Sequence, residues 1–227
     1  MPAIMPFGQY KGWRLEDVPI NYLLWLNEDG NVFGSLKWSI EAELELRFKK
    51  RDEAGNAKLT AEDRKRLIVL DTNDIGQWWD YYSKVFENVF YGVRLTRPEL
   101  TVQPSRRFMG YWVPSTMLLN INNHYILPQS RFENILIHEM CHQYITEMNI
   151  IDTSPHGRRW RNIAASMSSA TSNLIDICDN EIYAVNNYFR PGTLVILPEQ
   201  QRGKKAPVSA ESAERSYEGF IEELSNA

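Results

Sequence analysis

Residues 138–160 read HEMCHQYITEMNIIDTSPHGRRW, and three of the chain's four histidines lie in them, as His138, His142 and His156. On a helix, residues four apart share one face, so His138 and His142 can grip a single ion. Glu139 then stands beside the first ligand, near enough to contact a metal-bound water while staying out of the ligand set. A catalytic zinc takes three protein ligands and keeps one position open, so the third ligand sorts the possibilities. A Gly three residues after His142 and a His three further on would mark a metzincin. Those places hold Ile145 and Met148, which excludes that class. Glu181, in DNEIYA, would complete a thermolysin-like site. His156, returned to the metal by a 13-residue loop, would complete an all-histidine one. Pro155 suits the first position of a helix, and such a start would hold His156 in place.

The surroundings read as a mixed α+β domain. Upstream, SRFE sets Glu133 three residues after Ser130 as a capping box, and Ile135, Leu136, Met140 and Tyr144 continue as the apolar positions of the metal helix. ELTVQ, FMGYWV and MLLNI are short β-rich runs separated by Pro104, Pro114 and Ser115. Before them, Asp74 is placed to cap a helix with Trp78, Tyr82, Val85, Phe86 and Phe90 on one face, ended by Tyr91-Gly92. After His156 a helix over about 157–171 carries Trp160, Ile163, Ala164 and Met167; NLIDIC and TLVIL are candidate strands. The expected fold is a zincin-like core, in which a small mixed or antiparallel sheet packs on the HExxH helix.

HEMCH followed by HGRRW resembles the SprT-like zinc metalloproteases, which include the Spartan proteases of DNA–protein crosslinks. The resemblance runs in order over about residues 75–180, from WWDYYSKVFENVFYG through FMGYWV and MLLNIN to ATSNLIDIC. It implies Zn2+ held by His138, His142 and His156, the last in preference to Glu181. Glu139 would be the general base that takes a proton from metal-activated water and delivers it to the leaving amine. The implied partners are a protein substrate and DNA, single-stranded or crosslinked. MLLNIN, taken as the edge strand beside the site, would pair with an extended substrate peptide. Cys141, inside the motif, is expected to be a buried packing residue, and His124 an exposed strand-end residue. Arg158, Arg159 and Arg161 read equally as a solvated helix face or as phosphate contacts. A nucleic-acid-associated binding protein with a structural or vestigial metal site is the reading from another class, and the intact Glu139 argues against it.

The flanks divide the chain into 1–50, a small module; 51–71, a linker, of which 51–66 are almost wholly polar and read as a linker or an exposed turn of helix; 72–198, the metalloprotease domain; and 199–227, a linker with a terminal amphipathic helix marked by Ala213, Tyr217, Phe220, Ile221 and Leu224. In the first, PFGQYKGWRLEDVPINYLLWL suggests a hairpin punctuated by Gly8 and Gly12, then a helix after Pro19, with a second helix over about 36–50. It resembles the small module at the C-terminus of exodeoxyribonuclease X. Phe7, Tyr10 and Trp13 are expected to form the core of that small fold, the alternative being a platform for single-stranded nucleic acid.

The chain has 227 residues, 43% hydrophobic, and a net charge of −4. Residues 89–170 run against that balance with eight arginines to five acidic residues. Two cysteines exclude a disulfide scaffold and a four-cysteine zinc ribbon. No apolar run suits a signal peptide or a membrane helix. A cytoplasmic protein with no membrane partner is the expectation.

Overall fold

The computed structural model describes residues 3–28, 32–172, 175, 183–186 and 190–198. They belong to two compact units, Met1–Lys58 and Leu59–Ala227. No helix among the described residues is long and apolar enough to cross a membrane.

In the first unit, a bridge between Ile4 and Arg14 closes a loop turned at Gly8 and Gly12, whose φ angles are +75° and +86°. Helices α1 (Ile20–Glu28) and α2 (Ser35–Lys58) follow. Ile40, Leu44 and Phe48 recur four residues apart along α2, and are buried with Met5, Leu15, Val18, Leu23 and Leu26. Arg47 fastens the turn before α1, donating to the carbonyls of Val18, Leu15 and Glu16 at 2.7–2.8 Å while Glu43 accepts from its Nε. Of the expected aromatic core of Phe7, Tyr10 and Trp13, Tyr10 packs half-buried against the interior, and the other two do not fill it. Phe7 is 41% and Trp13 51% exposed. Trp13, Tyr10, Tyr22 and Trp25 instead form a row of rings with centroids 4.8–5.4 Å apart. The aliphatic residues, spaced for two crossing helices, fill the interior.

The expected linker over 51–71 is regular structure. The second helix runs on to Lys58, and Thr60 and Asp63 form a capping box on α3 (Ala61–Arg64). β1 (Ile68–Asp71) then enters a sheet, with Leu70 fully buried. The polar composition of 51–66 describes a solvated helix as well as it describes a linker, and the two apolar residues that β1 turns inward, Ile68 and Leu70, are too short a signal to read.

The second unit continues with α4 (Thr72–Val89), β2 (Glu99–Gln103), β3 (Gly110–Val113), β4 (Leu118–Asn122), β5 (Tyr125–Pro128), α5 (Gln129–Glu147), α6 (Arg158–Thr171), β6 (Ala184–Val185) and β7 (Thr193–Leu197). One sheet has the order β1-β7-β5-β6; the other, β2-β4-β3, pairs β2 parallel and β3 antiparallel to β4. The fold is α+β with small mixed sheets. The stretch MLLNIN is therefore central, not an edge: β4 is flanked on both sides, and β3 is the edge strand that lies against α5.

α4 is capped by Asp71, which accepts from the N–H groups of Asn73 and Asp74, while Asp74 reciprocates at the third helical position. The expected cap at Asp74 is thus one half of a box centred three residues earlier. Ile75, Trp78, Trp79, Tyr82 and Phe86 bury its apolar face, and each such side chain contributes about 1.5–3 kcal/mol relative to exposure. Positive φ at Tyr91 and Gly92 then turns the chain away. α5 has no capping box at Ser130; its N-cap is Pro128, and Glu133 accepts from Tyr82 Oη at 2.7 Å and from Gln129 Nε2 at 2.9 Å. Gln143, fully buried on α5, accepts from Trp79 Nε1 and donates to Thr96 O and Glu147 Oε1, which fixes α4 and the segment leading into β2 to α5. Asn122, also fully buried, holds the β2–β3 loop: its Oδ1 accepts from the N–H of Ser105 and His124, and its Nδ2 donates to the carbonyls of Ser105 and Phe108. TLVIL forms β7 as expected. NLIDIC, apart from Ile175, lies outside the described residues, as do Cys178, Glu181 and the stripe from Ala213 to Leu224.

Candidate metal centre

His138 and His142 lie one turn apart on α5, with Nε2 atoms 3.2 Å from each other. His156 arrives from the other side, just ahead of Gly157, the N-cap of α6, and sets its Nε2 3.0 Å from His138 Nε2 and 3.1 Å from His142 Nε2. The three ring nitrogens form a nearly equilateral triangle. An imidazole nitrogen that carries hydrogen donates only, and one that lacks it accepts only. No assignment of hydrogens satisfies all three contacts of such a triangle, whereas one cation facing three lone pairs does. Among the described residues, this is the group of His, Cys, Asp and Glu side chains able to hold a metal ion.

The electrostatics suit ligation. Burial, with the charges of His138 and His156 added, pushes His142 down to about 3. Burial and the Arg161 guanidinium lower His156. Both shifts favour the neutral imidazole, the form that ligates a metal. Trp160, 1% exposed, floors the triangle, its ring centroid 4.6–5.4 Å from those of the three histidines. The indole excludes water from behind the ligands. Pro155 does not open the helix as expected; α6 begins at Arg158, and His156 precedes it.

Glu139 is 6% exposed and accepts a hydrogen bond from the backbone N–H of Trp112 on β3. Burial raises its carboxyl to about 8, and the Trp112 N–H opposes that only in part. Because alternate residues of a strand turn their backbone groups the same way, Gly110 and Trp112 face the open edge of β3, while Met109 turns its carbonyl to Asn122 of β4. Gly110 allows this closeness: a Cβ there would stand 3.0 Å from Glu139 Cγ, Ile135 Cγ2 and the Asn120 carbonyl. The sequence marks Gly110 only as a small residue in a strand, and nothing in it reveals the Trp112 contact.

The remaining residues separate. Cys141 is fully buried, and burial lifts its thiol well above the ordinary value, which makes it the packing residue expected. His124 is half-buried, edge-on to Tyr125 at 4.7 Å, and stands outside the histidine cluster. Arg158, Arg159 and Arg161 are exposed at the start of α6, and Arg161 Nε donates to the His156 carbonyl at 3.0 Å.

This ordered set of helix, edge strand, HExxH helix and returning histidine agrees with a comparison of the sequence against family profiles. Residues 77–179 match the SprT-like family. The SprT-like match begins within α4 and ends beyond α6, so it spans all three histidines and Glu139. At the N-terminus, residues 1–53 match the family described as "Putative quorum-sensing-regulated virulence factor"; the resemblance to the exodeoxyribonuclease X module is not shown by this comparison. No curated protein and no solved structure matches the chain.

Proposed function

We propose that the chain is a zinc-dependent endopeptidase of SprT-like type with a zincin-like core. The observation that carries the reading is the convergence of three imidazole nitrogens beside Glu139, a buried carboxyl on α5 that the edge strand β3 holds through the Trp112 N–H. A structural metal site has no use for Glu139 at that place. His138, His142 and His156 would hold Zn2+, which supplies Lewis acidity that polarises a peptide carbonyl and acidifies water. Glu139 is the general base: its carboxylate takes one proton and returns it to the leaving amine. The cation's charge counters the burial that keeps this carboxyl neutral in the metal-free protein. Trp112 N–H orients one carboxylate oxygen and leaves the other for the reacting groups. The open edge of β3 offers the outward carbonyls of Gly110 and Trp112 to an extended substrate. Proteins bound or crosslinked to DNA are the proposed substrates, and the arginines at the start of α6 lie beside the site where phosphates would pass.

The test is cleavage of a DNA-binding protein by the purified chain and by Glu139→Gln, both with zinc, with and without single-stranded DNA. Wild-type cleavage that the variant lacks, while still holding one zinc, supports the mechanism. Cleavage by the variant refutes it. Wild-type cleavage that ignores DNA removes DNA-bound substrates from the reading and leaves a general peptidase.

A further inference from the structure

Helix α6 lacks the side-chain cap its start requires. Its N-cap is Gly157, which has no side chain to offer the first backbone N–H groups, and no acidic residue occupies its first turn. The missing acceptor comes from outside the helix. Asp152, five residues before Gly157 in the connection from α5, takes the Trp160 N–H on Oδ2 at 2.9 Å and the Thr153 N–H on Oδ1 at 2.9 Å, and also accepts from the Arg159 N–H. Arg159 and Trp160 stand at the second and third helical positions, whose N–H groups a capping Asp or Ser ordinarily satisfies. These bonds, led by the one from Trp160, hold the Asp152 carboxyl below its usual range.

Gly157 is the counterpart of this arrangement. A methyl group there would overlap the Asp152 carboxylate, so the space of the absent side chain is where the carboxylate sits. Between the two lies Thr153-Ser154-Pro155-His156, closed by the Gly157 N–H bonding to Ser154 O at 3.0 Å and by Arg161 Nε bonding to His156 O. The chain from Asp152 to Trp160 is thus a ring tied at both ends, and His156 is the residue it presents to α5.

We propose that Asp152 is a positioning residue for the metal centre: its carboxylate, seated against Gly157 and bonded to the first turn of α6, sets His156 as the third ligand. The inference rests on the metal-centre reading above. Asp152 touches neither metal nor substrate; it acts through the backbone that carries His156. His138 and His142, held by α5 itself, do not depend on it.

The experiment is a zinc titration against a chromophoric chelator, using the full chain with metal removed, in wild type, Asp152→Ala, His156→Ala and the double variant, with far-UV circular dichroism on each. Outer-shell partners of metal ligands are worth about 10–100-fold in affinity. Asp152→Ala is expected to weaken zinc by about ten-fold or more at unchanged helicity. In the His156→Ala background the same substitution changes affinity by less than about two-fold, because the ligand it positions is gone. Gly157→Ala, which drives the carboxylate out, reproduces the loss, and Asp152→Asn, which keeps one acceptor oxygen, falls between. Should Asp152→Ala fail to fold, these last two variants carry the test. Wild-type affinity in the Asp152 and Gly157 variants, or an equal loss with and without His156, overturns the proposal. A wild-type chain that binds no zinc brings down the metal-centre reading itself, an outcome distinct from either.

Discussion

Replacing Glu139 by Gln is expected to stabilise the metal-free protein, by an amount that depends on pH. Glu139 is buried in the folded chain, and its carboxyl is raised from an ordinary 4.5 to about 8. Below pH 4.5 the group is protonated in folded and unfolded chains alike, so it adds no pH dependence. Between 4.5 and 8 the unfolded chain ionises while the folded chain keeps its proton. Folding then takes up a proton, and stability falls as pH rises. Above 8 both states are ionised and the full cost is present. At about 1.4 kcal/mol for each pH unit, that cost is of order 5 kcal/mol. Gln is neutral throughout and can still accept from the Trp112 N–H, but its amide hydrogens need partners in the same pocket, which takes back about 1–3 kcal/mol. The net gain is about 2–4 kcal/mol at pH 8.5, shrinking towards zero or below at pH 4.5. The assay is urea unfolding of both chains in EDTA at pH 5, 6.5 and 8.5, read by tryptophan fluorescence. A difference that stays flat with pH, or a wild type that is the more stable at pH 8.5, would refute the placement of an ionisable carboxyl in that pocket.

The same carboxyl predicts the proton balance of zinc uptake. At pH 7, binding should release close to one proton from Glu139 and none from His142, which is already bare, so calorimetry in two buffers of different ionisation enthalpy should show a release that Glu139→Gln loses. Gly110→Ala should cost about 1–3 kcal/mol of stability and lower turnover more than substrate affinity, because its methyl presses on Glu139 and on the β4 carbonyl. Urea unfolding paired with steady-state kinetics checks this, and an unchanged kcat would show that Glu139 tolerates the displacement.

What the sequence determined by itself is the part of the site that lies within one turn of one helix. HEMCH fixes His138, Glu139 and His142 because a spacing of four is a property of any helix, whatever surrounds it. The helical face of Trp78, Tyr82 and Phe86 and the run TLVIL were legible for the same reason, since both signals are local and periodic. His156 was legible only as one of two candidates by spacing, because a 13-residue return is not a local constraint; its three contacts of 3.0–3.2 Å with its neighbours come from tertiary structure. Tertiary pairing also decided that β4 is central and β3 the edge, for register and neighbour order depend on strands distant in sequence. It showed β1, just after the polar run 51–66, paired to β7 more than a hundred residues away. It brought Trp112, on β3, to Glu139 on α5, and closed Asp152 onto a glycine whose want of a side chain has meaning only once the carboxylate is seen in its place.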